Sequence, residues 1–156
     1  MRTCKLSWTL VAVLSVVVAV LAYKFLSGDV RPSEDGRLAV QLSKDERNAL
    51  LLEMRTWLQN CQTIVAALSA DDFAAVAATA KASGMGAEAS TPGSLLSKVP
   101  IGMKRLGFGT RQQFDQIAAD AAKLKDSRHT LAQLGQAMNN CVACHATYRF
   151  AVVEKN

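Results

Sequence analysis

Aromatic side chains are scarce in this chain, with two Trp, two Tyr and five Phe among 156 residues. A core of one domain's size must then come mainly from aliphatic side chains and alanine. Apolar and polar residues nowhere alternate strictly in the way a half-buried strand requires, so no β element is expected. No basic stripe with interleaved aromatics exists, which excludes the usual nucleic-acid footprint. The four cysteines, Cys4, Cys61, Cys141 and Cys144, make no case for a disulfide framework.

Charge is almost absent from one long stretch. Between Leu6 and Leu26 the only charged residue is Lys24, and Arg2 and Lys5 precede it. A run of ~20 such residues is long enough to span a bilayer. Two readings compete: an uncleaved signal anchor, or a signal peptide cut near Val20-Leu21-Ala22. The apolar run exceeds the usual ~7–15-residue h-region and lacks a clean A-x-A site, so the anchor is expected. Both readings export the rest of the chain, because the basic residues stay on the cytoplasmic side. Cys4 lies before the apolar run and does not fit a lipoprotein cysteine; it reads as incidental. The net charge of +5 is largely that of this segment, since residues 1–27 hold three basic residues and no acid.

The chain divides into a signal anchor or signal peptide (1–27), a polar tether (28–42) and a domain (43–156) with four helical segments. Ser43-x-x-Glu46 is a capping box, and Leu50, Met54, Trp57, Cys61, Ile64 and Leu68 follow in helical steps, widened by Leu51, Leu58 and Val65. This predicts a first helix over 44–68. A second, short and alanine-rich helix starts at Ser69–Asp72 and ends near Gly84. Residues 84–109, with six glycines and two prolines, read as a long connection holding one turn at 94–99. Thr110-x-x-Gln113 opens a third helix with Phe114, Ile117, Ala121 and Leu124 on one stripe. Thr130 opens a fourth, with Leu131, Leu134, Met138, Cys141, His145, Tyr148 and Val152 on its stripe. The expected fold class is all-α: an antiparallel up-down-up-down four-helix bundle, preceded by one N-terminal transmembrane helix or signal peptide.

Near the C-terminus stands Cys141-Val-Ala-Cys144-His145. C-x-x-C-H is the pattern for covalent attachment of c-type haem. Two thiols add to the two vinyl groups as thioethers, and the adjacent histidine supplies an axial nitrogen. A zinc site would want four ligands, but only Cys4, Cys61 and His129 remain, with no second C-x-x-C. A redox dithiol would want a βαβ context. The register of Cys141 and His145 on the fourth stripe implies one covalent haem buried among the helices, where a large flat cofactor would help fill an aromatic-poor core.

The sixth iron position follows from level matching. Met54 is ~10 residues into the first helix and His145 ~7 residues before the end of the fourth, within roughly 5 Å of one level if the two are antiparallel. Met54 is therefore the expected second axial ligand with His145. A methionine on an apolar stripe can equally be core filler. Met103, flanking the long connection, is the rival. His129 lies ~24 Å away along the axis and reads as a surface or capping residue.

Cys141-x-x-Cys144-His145-x-x-Tyr148-Arg149, together with Met54-x-x-Trp57-x-x-x-Cys61-x-x-Ile64, resembles the terminus and the distal helix of class II c-type cytochromes, the cytochrome c-prime family. The resemblance covers residues 43–153. It implies a four-helix haem domain with Arg149 beside the proximal histidine. It further implies a low-spin, His/Met-ligated electron carrier where the distal residue is methionine, or a five-coordinate NO- or CO-binding protein where it is not. The expectation is an electron-transfer protein, not an enzyme, with its haem domain in the periplasm. It is anchored in the inner membrane, or soluble after signal cleavage. A redox protein or membrane redox complex is the expected partner, and the resemblance allows a homodimer.

Overall fold

The computed structural model describes residues 2–86 and 92–153, with side chains from Trp8 onward. It is mostly helical. The helices are α1 (Arg2–Ser27), α2 (Lys44–Ser69), α3 (Phe73–Ala82), α4 (Gly93–Lys98), α5 (Ile101–Leu124) and α6 (Ser127–Thr147). The side chain of Cys4 and residues 87–91, in the long connection, lie outside the described residues.

Within α1, Trp8–Ser27 is a 20-residue span of mean hydropathy 2.3, none of it buried against the rest of the chain. At ~1.5 Å per residue it is about 30 Å long, matching a bilayer's hydrocarbon core. The N-terminal helix is thus long and apolar enough to be a signal peptide or a membrane anchor.

The helix starts follow local chemistry. At Ser43 the capping box is complete: the Glu46 amide donates to Ser43 Oγ at 3.2 Å, and the Ser43 amide donates to Glu46 Oε2 at 2.7 Å. Asp72 accepts from the Ala75 amide and opens α3. Asp126 accepts from the His129 amide and opens α6, three residues before the expected Thr130 start. The third helix departs most from expectation. It begins at Ile101, just after Pro100, so 101–109 is helix rather than connection. Proline suits the position before a first turn because its missing N–H is not needed there. Gly102, Gly107 and Gly109 disguise that turn as loop.

The absence of β structure is corrected by a three-stranded sheet of β1 (Val30–Pro32), β2 (Leu38–Leu42) and β3 (Tyr148–Val152) in the order β1-β2-β3. β1 and β2 are antiparallel, with Val30 opposite Val40; β2 and β3 are parallel, with Leu38 opposite Tyr148. The central strand is buried along nearly its whole length. A strand buried on both faces need not alternate, which is why its pattern is unreadable as a period of two. The polar tether is therefore folded, and the fourth helix stops at Thr147, with Tyr148 and Val152 on a strand instead of its stripe. Tyr, Phe and Val are strand formers, and pairing with β2 takes them.

Two apolar clusters result. The larger joins Ile64 and Leu68 of α2, Val76 and Ala80 of α3, Phe114, Ile117 and Ala121 of α5, and Leu134 and Ala137 of α6. The smaller joins Val40 and Leu42 of β2 with Leu95, Val99 and Met103, and packs against Leu50, Met54, Cys144 and Tyr148. Some stripe positions prove exposed: Leu58, Val65, Leu124, Leu131 and Met138 face outward. On α6 the buried line is Thr130, Leu134 and Ala137, one step round from the expected one.

Leu42 is fully buried at the heart of the smaller cluster. Leu42→Ala is expected to cost about 2–5 kcal/mol in urea unfolding, against about 0.5 kcal/mol or less for exposed Leu131→Ala. Equal, small costs would mean that the sheet is peripheral to stability.

Candidate functional site

The C-x-x-C-H residues occupy the last two turns of α6, directly before β3. Cys141 and Cys144 are half-buried, and His145 is exposed. A hollow with a cavity volume of about 120 Å³, partly open to solvent, is lined by Cys141, Cys144 and His145 of α6, Leu50, Met54 and Trp57 of α2, and Leu95, Val99 and Met103. Its lining is mostly apolar, as cofactor pockets usually are. A second, more polar hollow adjoins it, sharing Met54, Met103, Cys144 and His145, and is lined by Arg37, Arg47, Tyr148 and Arg149.

The structure thus brings Cys141, Cys144, His145 and Met54 to one hollow. Met103, the rival ligand, lines it as well and is itself buried. Arg149 lines the second hollow beside His145, and its guanidinium donates to Ser33 Oγ at 2.8 Å. His129 is in the first turn of α6, with Nε2 3.4 Å from Asp120.

Several wall residues were not legible beforehand. Arg37, in the β1–β2 turn, donates to the His145 carbonyl at 3.3 Å, while Asp35 holds the same guanidinium at 2.6 Å. A cation there complements the C-terminal end of α6. Arg37 pulls the exposed Asp35 carboxyl down to about 2. Arg111 of α5 is nearly fully buried in the wall. It is paired with Glu53, donates to the Gly84 carbonyl at 3.3 Å, and stacks 5.1 Å from the Trp57 ring centroid. Burying such a charge requires that partner set. Lys104 is also buried, and burial lowers its ammonium's pKa. Spacing alone could not have marked Arg37 or Arg111, because each contacts a segment far away in sequence.

Burial also acts on the thiols. It raises Cys61 and Cys141, and pushes Cys144 up to about 11, with Cys141 adding to that shift. They are thiols at neutral pH. A disulfide-exchange dithiol needs the opposite shift, commonly supplied by a helix N-terminus, whereas this pair sits at a C-terminal end. Among the described residues, no three of His, Cys, Asp and Glu converge as ligands for a bare ion. The donor set does suit a haem: two thiols and an imidazole on one helix, and two thioethers across an apolar hollow.

No family model, curated protein or solved structure matches this chain.

One wall of the hollow is held by Glu46, at the start of α2, which receives Lys98 Nζ of α4 at 2.6 and 2.8 Å. Lys98, followed by the Ser43 amide, holds the Glu46 carboxyl below the ordinary glutamate range. A carboxyl lowered in the folded state adds stability above its unfolded pKa, and that stability is lost as pH falls through the folded value. Between about pH 6 and about pH 3 the melting temperature of the wild type is expected to fall further than that of Glu46→Gln. Thermal melts at both pH values check this, and parallel losses would remove Glu46 from the acid response.

Proposed function

We propose that this protein is a c-type cytochrome that carries single electrons for a membrane-associated redox chain. The observation that carries the reading is the convergence of Cys141, Cys144, His145 and Met54 on one apolar hollow. In this reading Cys141 and Cys144 would hold one haem through thioethers, and His145 and Met54 would donate to its iron. When bound, the haem supplies an iron that cycles between ferric and ferrous states, and a thioether ligand raises its potential.

The protein residues do the rest. Leu50, Leu95 and Val99 give the hollow apolar walls. The Arg111–Glu53 pair presents a compensated charge in its wall. Arg37, bonded to the His145 carbonyl, steadies the turn that carries the proximal imidazole, and Arg149 flanks the same turn. Electron transfer asks for no general base or nucleophile, so the protein is read as a carrier and not an enzyme.

The shared core of α2, α3, α5 and α6 supports reading these helices as an up-down-up-down bundle of the cytochrome c-prime kind, with α1 as an inner-membrane anchor and residues 43–156 in the periplasm. A redox protein or membrane redox complex is the proposed partner. A homodimer of the kind the family forms is compatible with the exposed apolar positions on α2 and α6.

Mass spectrometry and optical spectroscopy of protein expressed with periplasmic export test this. The expected mass is the chain plus one haem, abolished in the double variant Cys141→Ala/Cys144→Ala. An unmodified wild-type mass would end the cytochrome reading in favour of a haem-free scaffold. The ferric protein should show a far-red sulphur-to-iron band that Met54→Leu removes. High-spin spectra with rapid CO binding, unchanged by Met54→Leu, would instead favour the five-coordinate gas-binding alternative.

A further inference from the structure

The exit of α1 is fastened to the wall of the hollow. Gly28 has φ +66°, which favours glycine, and a Cβ built on it would lie 2.5 Å from the Lys98 carbonyl oxygen and 2.6 Å from the Pro100 nitrogen. The neighbouring Asp29 amide donates to that same Lys98 carbonyl at 2.7 Å, and the Asp29 carbonyl accepts from the Gln41 amide of β2 at 2.8 Å. One helical turn earlier, the Phe25 carbonyl accepts from Lys104 Nζ at 2.7 Å, and the same ammonium lies 3.5 Å from the centroid of the Phe25 ring.

These contacts come from both sides of one short stretch, Lys98 to Lys104, and Val99, Met103 and Lys104 within it line the hollow. A Gly28 Cβ would also lie 2.8 Å from the Val99 carbonyl carbon. Only this stretch of backbone therefore separates the end of the apolar helix from the cofactor wall. A backbone hydrogen bond just after a glycine with no room for a side chain, and the Lys104 ammonium on the Phe25 carbonyl one turn before it, leave little freedom to swivel. A polar tether would behave otherwise: 15 unstructured residues would let the domain take any orientation.

We propose that Gly28, Asp29 and Lys104 form a fixed junction that presents the α4–α5 side of the haem hollow to the phospholipid headgroup layer, so that the haem is held at one angle to the bilayer. The proposal rests on the haem and anchor readings above. It makes the headgroup surface an interaction surface of the domain, and it favours an electron partner held in the same membrane over one arriving from the bulk periplasm.

The test uses full-length holoprotein in vesicles of phosphatidylethanolamine and phosphatidylglycerol. Electron paramagnetic resonance of ferric haem in multilayers dried on a flat support is expected to change with the angle between field and membrane. Gly28→Val, which cannot take the seat under Lys98, is expected to lose that angular dependence while keeping its covalent haem and optical spectrum. Lys104→Met, a milder change outside the glycine seat, is expected to broaden it, and it keeps the test alive should Gly28→Val fail to fold. A wild-type signal independent of angle would overturn the junction, as would a mature chain beginning after Ser27. Amide hydrogen exchange of residues 98–106 supplies a readout without haem. Gly28→Val should exchange faster there than wild type in the same vesicles, and equal exchange counts against the junction even where the mass shows no haem and the cytochrome reading has failed.

Discussion

The residues that leave the apolar helix and the residues that follow Cys-x-x-Cys-His are bonded to each other as neighbouring strands, Leu38–Leu42 beside Tyr148–Val152. That parallel pairing is the constraint on which the site depends. It stops α6 at Thr147, so His145 sits in a final helical turn and not in mid-helix. It brings the β1–β2 turn close enough for Arg37 to reach the His145 carbonyl. It buries Val40 and Leu42 under α4 and α5, which closes one side of the hollow. The Asp29 amide donates to the Lys98 carbonyl, which ties the exit of the apolar helix to the wall of the hollow.

The hollow is placed with respect to two apolar clusters, each with its own logic. The larger is helix on helix, filled by small and aliphatic side chains, with Phe114 its only fully buried aromatic. The smaller is sheet against helix. Leu50, Met54 and Cys144 line the hollow and also pack on the smaller cluster. The walls of the hollow are mostly apolar, and the buried guanidinium of Arg111 in them is matched by Glu53 and by the face of Trp57. Charge is thus admitted where it is paired, and the arginines that remain nearer solvent gather in the adjoining polar hollow around His145.

Much of this was legible in the chain because it is local chemistry. Ser43-x-x-Glu46 placed the start of α2 to the residue, since both halves of a capping box lie within four residues. Met54 was set level with His145 by counting ~7 residues from His145 to its helix end; the helix ends at Thr147, so that count fails, and their shared hollow is a tertiary result. The start of α5 was missed because three glycines within its first turns imitate a loop, while the signal that matters is Pro100 before them. The sheet was missed for a different reason. β2 is buried on both faces and shows no alternation, and Tyr148–Val152 continues a helical spacing that only competition from a neighbouring strand can interrupt.

The sequence by itself determined an apolar N-terminal helix, most of the helical segments and the cap of α2, and a C-x-x-C-H motif, because each is written within a few residues of contiguous chain. The tertiary structure alone decided that the supposed tether is a strand pair, that Arg37, Glu53 and Arg111 furnish the walls of the two hollows, that Met103 shares one with Met54, and that the apolar helix meets the wall of that hollow at Gly28. Those features are contacts between residues tens of positions apart. Their free energy comes from burial and pairing that exist only once the chain has closed on itself.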